Sequence, residues 1–184
     1  MKLVVCALAD LERELGRSRP AGVISLLSPD QPAPDTPGDA ARLVLRFNDI
    51  TEPAAGLTPP DADMVARLLA FGASFEPYET LLLHCWMGIS RSPAAAFILA
   101  CAQDPATPEA RIAATLRQAA PSATPNALLV RLADDQLGRR GRMSATILAI
   151  GRGREAPAGD PFELEITPSP LVGEGGARGE AVGG

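Results

Sequence analysis

Apolar residues recur along this chain in two rhythms. Leu3 to Leu8 and Gly22 to Leu27 are compact apolar runs with β-branched members, and both read as strands. Between them, Leu11 and Leu15 stand four apart, as on one helical face. Ser28 to Gly38 is rich in Pro and Asp and reads as a loop. From Ala41 to Phe47, Leu43, Leu45 and Phe47 alternate with Arg42, Val44 and Arg46, the pattern of a half-buried strand. Pro59 to Phe75 has helical spacing. Thr58 is placed to cap it, Pro59 and Pro60 suit its first turn, and Asp61 and Asp63 suit its positive end. Glu76-Pro77 breaks that helix. Leu81-Leu82-Leu83 is short and wholly apolar, as expected of a central strand covered on both faces.

Three helical stretches follow, Ser92 to Gln103, Thr107 to Ala120 and Asn126 to Leu137, each introduced by a turn signal or by the loop before it. Met143 to Ile150 is apolar and reads as a helix, with a strand as the alternative. Strands interleaved with helices predict an α/β domain whose central, mostly parallel sheet has four to five strands flanked by helices. Beyond Gly151 the character changes to Gly, Pro, Glu and Arg, and the last seventeen residues lack apolar periodicity. The expected organisation is a domain over residues 1–151 and a Gly/Pro-rich disordered tail over 152–184, because such a composition buries too little to offset chain entropy.

Composition narrows the function classes. Of 184 residues, 46% are hydrophobic and only 4% aromatic, so the core must be built from Leu, Val, Ile and Ala. A net charge of −5 argues against a nucleic-acid partner, whose phosphates call for a basic face. Arg139, Arg140 and Arg142 cluster, and read as a solvated helix end. No segment approaches the roughly 18 apolar residues of a membrane span, so no membrane partner is expected. Cys6, Cys85 and Cys101 are odd in number and lack a CxxC spacing, which fits neither a disulfide framework nor a zinc site. A reducing cytoplasm is the economical expectation. Cys6 in a strand-like run and Cys101 in an apolar helix read as core.

Cys85 is different. Leu81-Leu-Leu-His84-Cys85-Trp86-Met87-Gly88-Ile89-Ser90-Arg91-Ser92 leads from a buried strand through a tight loop into a helix. Backbone N–H groups of such a loop can converge on an anion, and the helix adds its positive end. That setting favours the thiolate, the form that attacks. An arginine six positions after the cysteine returns to the same anion, and its planar fork holds two phosphoryl oxygens at once. Gly88 supplies φ freedom and close backbone approach. The Ser92 hydroxyl is placed to stabilise sulfur as a leaving group, and Ser90 and Ser92 can also cap the helix. His84 is the chain's only histidine, which excludes metal sites built on several histidines and an independent Cys-His pair.

His-Cys-x-x-Gly-x-Ser-Arg-Ser resembles the signature loop of the protein-tyrosine phosphatase superfamily, and Ser90-Arg91-Ser92-Pro93-Ala94 resembles its dual-specificity branch. Downstream, Leu116-Arg117 through Pro121 to Pro125-Asn126, and Gln136-Leu137, resemble the segment that follows the signature there. The resemblance spans roughly residues 40 to 140 and implies a cysteine-phosphatase type of α/β fold. It also implies phosphate monoester hydrolysis through a phosphocysteine, with no metal or cofactor, on phosphotyrosine or phosphoserine/threonine in proteins. The implied catalytic set is Cys85, Arg91, Ser92 and an acid, with residues 86–91 binding substrate and His84 supporting the loop. The acid of this family lies on a separate loop. Asp49 follows a predicted strand 36 positions before Cys85, a separation similar to the family's, with Glu52 as its rival and Asp61 and Asp63 as weaker candidates. Alternatives are a phosphate-binding module without turnover, and a phosphatase for a phosphoinositide or an RNA 5′-phosphate. A rhodanese-like sulfur transferase lacks this Gly-x-Ser-Arg-Ser entry.

Overall fold

The computed structural model describes residues 1–36 and 38–166. The strands are β1 (Lys2–Ala7), β2 (Gly22–Leu27), β3 (Ala41–Arg46), β4 (Thr80–Cys85) and β5 (Phe162–Glu165). The helices are α1 (Leu11–Ser18), α2 (Ala62–Ala73), α3 (Arg91–Gln103), α4 (Glu109–Ala119), α5 (Ala127–Gln136) and α6 (Arg142–Ile150). The five strands form one sheet in the order β3-β2-β4-β1-β5. β1, β2, β3 and β4 run parallel, and β5 is antiparallel to β1.

β4 lies in the middle because its sequence can be dry on both faces. Leu81, Leu82 and Leu83 are all fully buried, and each contributes roughly 2 kcal/mol by burial. Alternation then sends neighbours to opposite sides. Leu81, Leu83 and Cys85 join the large core under α3, whereas Leu82 joins Val4, Cys6, Leu11 and Val23 beneath α1. α3 is buried from Arg91 to Cys101, as its all-round apolar sequence demands. Helices α2, α4 and α5 pack around it, so one helix covers one face of the sheet and the others cover its opposite face.

Several expectations shift. α2 starts later than Pro59, and its cap is Asp61, which accepts from Met64 N at 2.8 Å. Thr58 instead exchanges hydrogen bonds with Asn48, through its N–H and its carbonyl, and shapes the loop after β3. Met143 to Ile150 is helical. Arg139 is not solvated: it is buried, donates to Cys101 O and pairs with Glu109 at 3.1 Å. Glu109 holds Arg142 as well, so the basic cluster is in part an internal clasp between α4 and α6.

The expected boundary at residue 151 falls inside the fold. Phe162, Leu164 and Ile166 are buried against the core, while Glu163 bonds Lys2 at 3.0 Å and Arg17 at 2.8 Å. The Met1 ammonium donates to Ile166 O at 3.0 Å. A short strand with period-two burial thus closes the β1 edge, and the expected tail keeps only residues 167–184, which lie outside the described residues. Among the described residues no helix is long and apolar enough to cross a membrane.

Candidate active site

β4 delivers His84 and Cys85 to the end of the parallel sheet, and α3 begins at Arg91. The five residues between them are turned by Gly88, whose φ of +69° is open to glycine. A Cβ there would also lie 2.7 Å from Ala7 N, so the loop can lie flat on β1 only without a side chain.

Neighbouring segments draw the loop carbonyls outward. Trp86 O accepts from Leu8 N at 3.3 Å, Met87 O from Gly159 N at 2.8 Å and Ile89 O from Thr124 N at 2.8 Å. Ser90 O accepts from Ala94 N at 3.0 Å and Asn126 N at 3.3 Å. Among the described residues the N–H groups of residues 86–90 donate to nothing. Carbonyls out and amides unspent make a nest for an anion, at the positive end of α3.

Cys85 is buried, 2% exposed, and Ser92 Oγ donates to its sulfur at 3.1 Å. Ser92 is therefore spent on the sulfur. Ser90 does not cap α3 either, because its Oγ donates to Asp49 Oδ1 at 2.7 Å. Arg91 is buried, donating from Nη1 to Phe47 O at 3.2 Å and to Ser28 Oγ at 3.4 Å. Its guanidinium carbon lies 6.0 Å from the Phe47 ring centre. Its Nε has no hydrogen-bond partner and lies 3.9 Å from Asp49 Oδ2. A buried donor without an acceptor is a group held ready for an anion.

Asp49 is the acid candidate that meets the loop. Asn126 Nδ2 donates to Asp49 Oδ1 at 2.8 Å and to Ile50 O at 3.1 Å. Glu52 is exposed without a described partner, Asp61 caps α2, and Asp63 sits in the first turn of α2. Trp86 is 57% and Met87 39% exposed, so their side chains stand on the surface around the loop rather than behind it.

His84 is fully buried, with Nε2 at 2.7 Å from Ser25 Oγ and no partner for Nδ1. Burial, and then the nearby Arg91 charge, push its pKa down to about 4, so the ring is neutral. Cys6 faces α1 and Cys101 lies within α3, both with thiols pushed up to about 12 chiefly by burial. Among the described residues no three His, Cys, Asp or Glu gather to hold a metal ion.

Three contributors escaped the sequence reading. Ser28 and Ser25 come from β2 and the loop after it, with no local signal. Asn126 had a signal of sorts, since Pro125-Asn126 marks a helix start. Its Oδ1 does cap α5, accepting from Leu129 N at 2.9 Å, but its amide nitrogen holds Asp49.

No family model and no curated protein sequence matches the chain. Solved structures do. It is similar to DUSP15, at 17% identity and a TM-score of 0.60, over 80% of this chain and 90% of that one. Human DUSP28 is similar at 21% identity and a TM-score of 0.55, over 75% and 89%. The Yvh1 phosphatase domain from Chaetomium thermophilum is similar at 19% identity and a TM-score of 0.54, over 77% and 93%. With the strand, signature loop and helix in that arrangement, the chain has the fold of the dual-specificity phosphatases of the protein-tyrosine phosphatase superfamily.

Proposed function

We propose that the protein hydrolyses phosphate monoesters through a phosphocysteine on Cys85, acting on phosphotyrosine or phosphoserine/threonine in proteins. The observation that carries the reading is the Ser92 Oγ to Cys85 Sγ contact at 3.1 Å, inside a loop with unspent amides and with Arg91 and Asp49 alongside.

Substrate phosphate occupies the loop of residues 86–91, held by backbone N–H groups and by Arg91. The Cys85 thiolate attacks phosphorus, an S–P bond forms, and the P–O bond to the leaving group breaks while Asp49 gives that oxygen its proton. Water then attacks phosphorus, Asp49 takes a proton from it, and the S–P bond breaks as Ser92 donates to the departing sulfur. The products are the free hydroxyl and inorganic phosphate. Fixed dipoles and Arg91 stabilise the charge on the transferring group, which is most of the catalysis in such reactions. Asn126 and Ser90 act through Asp49, and His84 braces the loop from the Ser25 side. The thiolate requirement suits a reducing compartment such as the cytoplasm.

The test is turnover of para-nitrophenyl phosphate in EDTA by the wild type, Cys85→Ser and Asp49→Asn. Turnover abolished by the first change, and lowered with a lost alkaline limb of the kcat profile by the second, is expected. A folded wild type that binds vanadate without turnover would make it a phosphate-binding module instead.

A further inference from the structure

The segment that follows α6 passes over the signature loop on its way to β5. It is seated at two glycines, where backbone meets backbone. A Cβ on Gly153 would collide with Ser122 C and O, and one on Gly159 would lie 2.8 Å from Gly88 O. Gly153 N donates to Thr124 Oγ1 at 3.0 Å, Arg154 N to Pro121 O at 2.9 Å and Gly159 N to Met87 O at 2.8 Å. From residue 154 to residue 160, Gly159 alone is buried. Both ends of the segment are pinned. At its start Arg117 donates to Ile150 O and Gly151 O at 3.4 and 2.7 Å, and to Pro121 O and Ala123 O at 2.9 and 2.8 Å. At its finish β5 pairs with β1, and Glu163 bonds Lys2 and Arg17.

Two signature-loop carbonyls depend on this arrangement. Met87 O is held by Gly159 N directly, and Ile89 O by Thr124 N, whose own hydroxyl oxygen receives Gly153 N. The Met87–Gly88 peptide is the element with two orientations. Turning it over changes only ψ of Met87 and φ of Gly88, and glycine accepts either sign of φ. In the orientation present, with Gly88 at φ +69°, Met87 O points out to Gly159 and Gly88 N–H is left for the anion. In the other, a carbonyl dipole would point at the anion and one donor of the nest would be lost. Gly159 N–H on the outside and an anion on the inside therefore favour the same orientation of one peptide.

We infer that residues 151–160 are a positioning strap with Gly159 as its contact residue: strap docking and phosphate binding in the signature loop reinforce one another through the Met87–Gly88 peptide. The inference rests on the anion-binding half of the phosphatase reading and adds to it a part of the chain that touches no substrate atom. Linkage makes the effect reciprocal, so whatever the docked strap adds to anion affinity, the anion adds to strap docking.

The experiment uses the full chain and vanadate. Hydrogen exchange of the Gly159 amide in wild type is measured without vanadate and at saturation, and is expected to slow by about 5- to 150-fold, the usual range of coupling between sites. Gly159→Pro removes the donor to Met87 O. It is expected to raise the vanadate Kd by a factor in the same range, with kcat/KM for para-nitrophenyl phosphate falling in parallel. A merely structural role would instead lower the Tm and leave the folded variant with the wild-type vanadate Kd. Gly159 exchange within twofold with and without vanadate, or a variant Kd within twofold of wild type, overturns the inference. Should Gly159→Pro fail to fold, the exchange measurement on wild type decides alone. Turnover by wild type with uncoupled exchange would sink the strap and keep the phosphatase reading. Coupled exchange without turnover would keep the strap while that reading falls, and a folded wild type that binds no vanadate would overturn both.

Discussion

The buried His84 makes acid sensitivity a quantitative prediction. Its imidazole is fully buried beneath the signature loop, and its pKa is lowered to about 4 from 6.5, first by desolvation and then by Arg91. Above pH 6.5 neither folded nor unfolded chain protonates it, so it has no effect on stability. Below 6.5 the unfolded chain takes the proton first, and the folded chain follows only near pH 4. Unfolding is therefore favoured across that window, by about 2 kcal/mol at pH 5 and about 3 kcal/mol at pH 4. Two assays check this. Because His84 is the chain's only histidine, a single imidazole signal in proton NMR reports it without assignment ambiguity, and its midpoint is expected well below 6. Urea unfolding of wild type and His84→Gln at pH 7.5, 6, 5 and 4.5 should show wild type losing roughly 2 kcal/mol more than the variant between pH 7.5 and 5. Protonated carboxylates destabilise both proteins alike and cancel in the difference. A midpoint near 6.5, or parallel pH dependence in the two proteins, would refute the argument.

Two further expectations come from the loop. Ser92→Ala removes the donor to the Cys85 sulfur and is expected to slow phosphoenzyme breakdown roughly 10- to 100-fold, the scale of a hydrogen bond to a charged group; pre-steady-state kinetics should then show a burst where wild type shows a smaller one or none. Gly159→Ala puts a Cβ 2.8 Å from Gly88 O, a backbone atom, and so pushes on the signature loop from outside the site; a loss of about 10- to 100-fold in kcat/KM for para-nitrophenyl phosphate is expected from a small misplacement, and an unchanged value would show the loop does not depend on this segment.

The sequence by itself determined what is local. Three consecutive leucines ahead of Cys85 suit a strand covered on both faces, and the run from Pro93 to Cys101 has no polar face to turn to water, so strand, loop and helix were legible together. The alternation at Leu43, Leu45 and Phe47 was equally plain because it has a period of two. The fifth strand was not. Phe162, Leu164 and Ile166 carry the same alternation, but for only three apolar positions within a Gly/Pro-rich stretch, and its stability comes from pairing with β1 and from burying those side chains in a core built by distant segments.

Only the tertiary structure decided which distant groups share the site. Asp49 and Glu52 look alike in a loop; packing brings Asp49 to Ser90 and Asn126, from segments 41 and 77 residues away, and leaves Glu52 in water. Arg139 read as one of three solvated arginines until Glu109, 30 residues earlier, supplied the charge that lets it be buried. A carboxylate's partner, or a guanidinium's, is a matter of chain crossing rather than of neighbouring residues, and side-chain type alone does not carry it.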